Sequence, residues 1–565
     1  MRTIAIVGSG PSAIYAVQRL IDGNIPLLIT LFEAGKTAGV GTPYDPRSNS
    51  VDMLANIASV EIPPVGETLL EYLSGRNDEE LDAIGVSRDG LSDREFYPRI
   101  ALGAYYRDRL AFLATVAAAR GHSFSVMTQC RVVDVIPRFN GVELRHVAHG
   151  GRPRSLLADK VVLATGHVVP LAQTTRGISK VVDQNAQSRR IGIIGSSLSA
   201  IDVAVSAASA RGSFAAGKYM ADSTALPFSI TMMSRGGRLP EADFFCPLPS
   251  ENAENFTEED VLAIVETPTG ASILDRVFAR FADVLARQDP EYALRIGLAG
   301  LTADTFPAAY FAERDAHQPF EWARLNLAEA TRNHRDKHVV AWRYAILRCH
   351  EAFASCLDAL SDDDLARFNR GLKRVFADNY AAVPPRSIER LLALHDAGIL
   401  DLVKLDDDYD IVFDEETGFS HVSNGSSTLV FDEIIDARGQ AHADEDEFPF
   451  PTLRMALKAN RDLDIDRDEG AVSVDASYRL IEGTNSLRNI WCLSLPFLLE
   501  RRPFIQGLTS AAEMGKAAAE AILADVEHSS PVREESALAE LAKTVATTQP
   551  VMMANSAVLL IPNGQ

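Results

Sequence analysis

"IAIVGSGPSAIYAV", residues 4–17, is a short apolar run, a turn broken by glycine, and the start of a helix. Gly8, Gly10 and Ala13 stand in the spacing GxGxxA. Gly8 permits the tight turn, Gly10 lets a pyrophosphate approach the backbone, and Ala13 lets helix and strand pack closely. Pro11 and Ser12 open the helix, whose free N–H groups and positive dipole end suit phosphates. A second apolar run, "LLITLFE" at 27–33, ends at Glu33. An acid at that strand end is placed to hold the ribose hydroxyls of an adenosine. The stretch therefore predicts a strand-turn-helix unit that binds a dinucleotide.

The unit recurs. "IGIIGSSLSAIDVA", residues 191–204, matches the first stretch at seven of fourteen positions. A repeat of this kind points to two copies of one binding unit. Gly195 keeps the turn, Ser196 follows it, Ser197 replaces the second glycine, and Ser199 and Ala200 open the helix. A serine at 197 can still hydrogen-bond a phosphate, at a slightly larger distance. Asp202 reads as a capping or packing residue. The strand that follows, in "FSITMMSRGGRLP" (228–240), ends in Ser234 and Arg235 instead of an acid. A hydroxyl and a guanidinium there suit the 2'-phosphate of NADPH, which an acid would repel. Arg238 is a second candidate, and two solvated arginines on a glycine turn are the alternative reading.

The chain has 565 residues, 47% of them hydrophobic, enough for two or three domains. Its formal charge is −22, and no lysine or arginine block offsets it, which argues against nucleic acid or an anionic membrane as a partner. Five cysteines lie scattered without a CxxC pair, so a reducing compartment with free thiols is expected and a disulfide shuttle is not. The N-terminal apolar run is too short for a signal peptide, and no run reaches the length that spans a bilayer. A cytoplasmic protein is expected. "DLDIDRDEG" (462–470) lacks the glycine and closing glutamate of a calcium loop, and no cluster has metal-ligand spacing.

Further segments carry a family resemblance. They are "AGVGTPYDPRSNSVDMLANIASVEIPP" (38–64), with Gly39, Gly41 and Asn56; "KVVLATGH" (160–167), with Thr165 and Gly166; and "SRGGRLP". Together with both loops they make the chain resemble bacterial FAD/NAD(P)-binding flavoproteins related to flavin monooxygenases and amino-acid N-hydroxylases. The resemblance implies an α/β fold of two Rossmann-like domains, an FAD domain interrupted by an NADPH domain. It places residues 38–64 along the flavin nucleotide and the ATG turn beside it. It also makes "NIWCLSLPFLLERRPFIQGLTSAAEMGKAAAEAIL" the return to FAD, with Gln506 and Gly507 at the mouth of the last helix. The usual acid of that closing strand is missing, and Ser494 stands nearby. "EIIDARGQ" (433–440) resembles a second crossing turn, with Arg438 in place of threonine.

The expected domains are FAD-binding at 1–187 and 430–525, NAD(P)H-binding at 188–240 and 380–430, a helical insertion at 241–380, and a tail helix at 526–565. Apolar residues at helical spacing mark the insertion, with Ser361 before three aspartates as one helix start. Its polar candidates are His317, Trp322, His350 and Arg386, and each reads first as structural. Arg501 and Arg502 would suit an anionic substrate. The terminal "AVLLIPNGQ" is read as packing back or joining copies into a homo-oligomer. The expected activity is an NADPH-using, FAD-dependent monooxygenase passing oxygen to a small substrate such as an amine or amino acid. An NADPH-dependent reductase with another acceptor and an FAD-binding redox sensor or assembly protein are the alternatives. No side chain is singled out as catalytic, because the cofactor carries such chemistry.

Overall fold

The computed structural model describes residues 1–166, 178–179, 189–223, 225–248, 256–267, 270–439, 443–461, 472–481 and 487–528. Two five-stranded sheets organise it. The first runs Ile490–Cys492, Lys160–Leu163, Arg2–Val7, Leu27–Phe32, Ser123–Met127, all parallel. The second runs Leu400–Lys404, Ser229–Ser234, Arg190–Ile194, Glu433–Asp436, Ile178–Ser179, also all parallel. In each, the strand feeding a glycine loop lies at the centre. Its neighbour on one side is the strand expected to meet the ribose, and on the other the strand of the crossing turn. This is the switch-point arrangement that opens a crevice at the carboxyl ends of parallel strands. Both central strands are buried, as parallel sheets covered on two faces require.

Three expected boundaries move. Ile178–Ser179 and Glu433–Asp436 both belong to the second sheet, so its limits lie outside 188 and 430. The last helix runs unbroken from Leu508 to His528, past 525, because its apolar face stays packed on the first helix, Pro11–Leu20. The tail expected beyond it, and the acidic turn at 462–470, lie outside the described residues.

Between the halves of the second sheet stand the helices from Glu258–Glu266 to Leu372–Tyr380. Phe278, Phe281, Phe306, Phe353 and Phe376 form their own aromatic core. Ser361 caps Asp362–Arg370 by accepting the Asp364 N–H, as its position before three aspartates predicts. One helix departs from the expected unit: Pro319–Asp336 sends Phe320, Ala323 and Ala330 into the core of the second sheet. Phe504, just before Gln506, packs on Phe368, Phe376 and Tyr380, fastening the closing segment to the inserted helices.

Candidate functional site: two dinucleotide loops

The two loops share one geometry. Gly8 has φ +107° and Gly195 φ +121°, a backbone region that only glycine enters readily. A Cβ on Gly8 would collide with the carbonyl of Ala164, and one on Gly195 would lie 2.8 Å from that of Ala437. Each carbonyl belongs to a crossing turn, Ala164-Thr165-Gly166 or Ala437-Arg438-Gly439. The turns are tied alike, by Ala164 N–H to Val7 O and Ala437 N–H to Ile194 O, both 2.8 Å. Gly10 and Ser197 each cap their helix in extended backbone, at φ −72° and −104°. Serine is therefore accommodated at 197 without strain. Its hydroxyl makes no cap hydrogen bond, and both Ser197 and Ser199 are exposed.

Around the first loop opens a cleft of about 560 Å³. Gly8, Gly10, Pro11, Ser12, Glu33, Gly41, Thr165, Gly166, Gln506 and Gly507 all line it, so residues far apart in sequence meet there. Phe450 and Leu495 add apolar wall. Three expected contacts lie outside this lining. Ala13 is fully buried and serves helix packing. Gly39 is absent from the lining: a Cβ there would sit 2.8 Å from Arg107 Cα, so its close approach is to a helix. Asn56 also lies outside that lining, with its buried Oδ1 unpartnered.

Ser9, which the sequence reading passed over, joins three parts of the site. It is almost fully buried, donates to Glu33 Oε2, and accepts the Gly39 N–H at 3.0 Å. Glu33 Oε1 accepts the Gly35 N–H at 2.5 Å. The carboxylate is thus fixed at its strand end with lone pairs left for ribose hydroxyls. The signal was present, since Ser9 is the middle residue of the glycine turn, but that position is variable in the motif. Ser494 stands 2.8 Å from the Thr165 hydroxyl, also accepts its N–H at 3.2 Å, and is buried. It stitches the closing strand to the first crossing turn.

At the second loop, Ser196 donates to Arg238 O at 2.6 Å, and its Oγ lies 2.9 Å from Ser234 Oγ. Arg235 is exposed, with no hydrogen bond or ion pair among the described residues. Arg238 is engaged: Asp315 pairs with its guanidinium, which lies 4.2 Å from the ring centroid of Phe311. Arg438 pairs with Asp436 at 2.9 Å. Arg502 lies over Tyr478 and donates to Asp475 O, a structural use.

Asp202 is an unforeseen bridge. It pairs with Arg99 of the helix Arg99–Ala119 at 2.6 Å, while Arg390 pairs with Asp52 at 3.1 Å. The two pairs cross the junction between the sheets. Burial pushes the Asp202 carboxyl up to about 6, against the pull of Arg99 and Arg390. Of the inserted polar candidates, His317 lies 5.4 Å from Trp322 ring to ring, and Trp322 donates to Glu241. His350 is packed on Tyr380 and Phe504, and burial pushes its pKa down. Arg386 is exposed near Glu95. These four are not brought into one site.

All five cysteines are buried, and burial pushes every thiol up, Cys130 to about 11 and the others to about 12. None offers a thiolate at neutral pH. Among the described residues no cluster could hold a metal ion, and no helix is long and apolar enough to cross a membrane.

Doubled loops, paired crossing turns and a lined cleft define a two-dinucleotide flavoprotein. A family model described as FAD-NAD(P)-binding matches residues 5–168, and one described as YdhS-like middle domain matches 257–380. The uncharacterized protein YdhS of Escherichia coli (strain K12) is 40% identical over 536 residues, covering 93% of this chain and 98% of that protein. The chain belongs to the YdhS family, and its cofactors are FAD and NAD(P). Among solved structures, the Kutzneria sp. 744 ornithine N-hydroxylase is 14% identical with TM-score 0.47, covering 93% of this chain and 99% of its own. The reduced ornithine hydroxylase of Pseudomonas aeruginosa is 13% identical with TM-score 0.49, covering 93% and 100%. The bacillithiol disulfide reductase of Bacillus cereus is 11% identical with TM-score 0.43, covering 93% and 99%.

Proposed function

We propose that this oxidoreductase is an NADPH-dependent monooxygenase that uses FAD to transfer oxygen to a small substrate such as an amine or amino acid. The observation that carries the reading is the matched pair of loops, one opening on a lined cleft and the other lying beside a strand whose end presents Arg235, unpaired among the described residues. In this reading the first loop, from Gly8 to Ala13, holds the FAD pyrophosphate, and Glu33 its ribose. Gly41, Thr165, Gly166, Gln506 and Gly507 bound the rest of FAD, with Gly39 and Asn56 supporting the chain beside it. The second loop, Gly195 to Ser199, holds the NADPH pyrophosphate, with Ser234 and Arg235 at its 2'-phosphate.

FAD, when bound, supplies hydride acceptance and oxygen chemistry. The chain binds, orients and excludes water. Phe450 and Leu495 make part of the cleft apolar, and Phe504 holds the inserted helices against the segment that closes it. The buried neutral thiols favour this reading over a reductase with a sulfur relay. An NADPH-dependent reductase passing electrons to a non-thiol acceptor is the second reading.

Purified protein is expected to carry FAD, seen by its visible absorbance, and no NADPH, since Ser197 gives a looser fit than Gly10. NADPH oxidation should depend on oxygen and rise with an amine or amino-acid substrate, yielding an oxygenated product. Turnover that proceeds equally without oxygen on an artificial acceptor would replace the reading with the reductase. A colourless protein would remove both.

A further inference from the structure

A second cavity, of about 340 Å³, lies among the inserted helices and shares no lining residue with the flavin cleft. Its walls are aromatic. Tyr292 and Trp342 are stacked at 4.4 Å with an interplanar angle of 6°, and Tyr310 meets Trp342 edge-on at 5.8 Å. Trp322 and Phe311 also line it. The space is in the range of small-ligand pockets.

Its charges fall into two sets. Deep inside, Glu241 pairs with Arg343 at 2.7 Å, and Asp378 with Arg314 at 2.7 Å, so those charges answer one another. Nearer the rim, Arg295 stands 3.8 Å from Glu313, and the Nη2 of Arg343 stands 3.9 Å from Glu329. Neither distance is a hydrogen bond. Among the described residues, Arg343 Nε and the Tyr292 hydroxyl, on side chains that line the cavity, are buried with no hydrogen-bond partner.

We propose that this cavity binds a small aromatic zwitterion, of the class of the aromatic amino acids. The ring lies among Trp322, Tyr310 and the stacked Tyr292–Trp342 pair. The carboxylate takes Arg343 Nη2, whose own acid neighbour, Glu329, stands 3.9 Å away. The ammonium lies at Glu329 and the rim carboxylate Glu313. A plain anion would be repelled by these acids and a plain cation by Arg295 and Arg343, whereas a zwitterion meets both signs.

Two of the chain's three tryptophans line the cavity, so binding reports itself by fluorescence. The FAD-loaded protein, without NADPH so that nothing turns over, is titrated with L-phenylalanine and with L-tyrosine, using fluorescence and calorimetry. The comparison ligands are 3-phenylpropionate, phenethylamine and L-alanine, which lack the ammonium, the carboxylate and the ring in turn. Saturable binding of at least one amino acid is expected, weakened roughly tenfold or more by each deletion, the size of one lost polar or ring contact. Glu329→Gln removes the partly exposed acid that holds the ammonium. It should leave thermal stability nearly unchanged while weakening the amino acid severalfold and 3-phenylpropionate little. Failure of both amino acids to saturate, or equal binding of phenethylamine, overturns the proposal, as does unchanged amino-acid affinity in Glu329→Gln. FAD content and NADPH oxidation are read separately, so these outcomes do not depend on the monooxygenase reading.

Discussion

Arg235 stands exposed at the end of the strand Ser229–Ser234, beside a hydroxyl already oriented by Ser196, while Arg238 three residues on is held by Asp315 and Phe311. The sequence offered both arginines, and nothing local distinguishes them. The helix Phe306–Asp315, about 75 residues further along the chain, does so by supplying a partner to one only. Arg235→Ala should therefore raise the NADPH dissociation constant roughly 10- to 100-fold, as loss of a charge-assisted contact of about 1.5–3 kcal/mol requires. NADH binding should be nearly unchanged, and titration of both nucleotides checks the split. Equal losses for NADPH and NADH would remove Arg235 from the 2'-phosphate. Ser9 makes the same point from the other direction. Its position in the loop was plain, but its bond to Glu33 and to Gly39 needed three segments brought together.

At the scale of elements, the first helix depends on the last. Gly515 of Leu508–His528 lies against Pro11–Leu20, where a Cβ would meet Ala16 N at 2.8 Å, Ser12 O at 2.9 Å and Tyr15 Cβ at 3.0 Å. Two of these atoms are backbone, so they cannot turn aside. Gly515→Val should push the loop helix off its seat, at a cost of about 1–3 kcal/mol. A lowered Tm together with reduced FAD per chain, measured on the purified variant, is the expected outcome. A normal Tm and full flavin would show that the two helices separate without consequence. Both loop units were legible because a strand, a glycine turn and a helix are local, and their pattern lies within about twenty residues. The seat against Leu508–His528 was not, since one glycine in a helical run carries no mark of what it touches.

For the whole molecule, Asp202 and Arg99 join the second sheet's loop helix to the first sheet's side of the chain. The Asp202 carboxyl is raised above its ordinary range, to about 6, chiefly by burial. Between that range and pH 6 the folded protein holds the proton more tightly than the unfolded chain. The group's contribution to stability therefore grows as pH falls through 6 and is lost as pH rises through it. Asp202→Asn removes this titration. Denaturant unfolding at about pH 7.5 and about pH 5 should show wild type gaining stability on the variant at the lower pH; a constant difference would refute the assignment. By itself the sequence determined the two loops, their strands, the helical character of the insertion and the class of cofactor. Each of these follows from short-range periodicity, turn chemistry and repetition. Only the tertiary structure decided which arginine is unpaired among the described residues, where the second sheet begins and ends, and that Asp202 spans a junction. It also decided that the inserted helices enclose a polar, aromatic cavity. Those facts depend on which distant side chains meet, and burial and pairing acquire their energies only once the chain has brought them together.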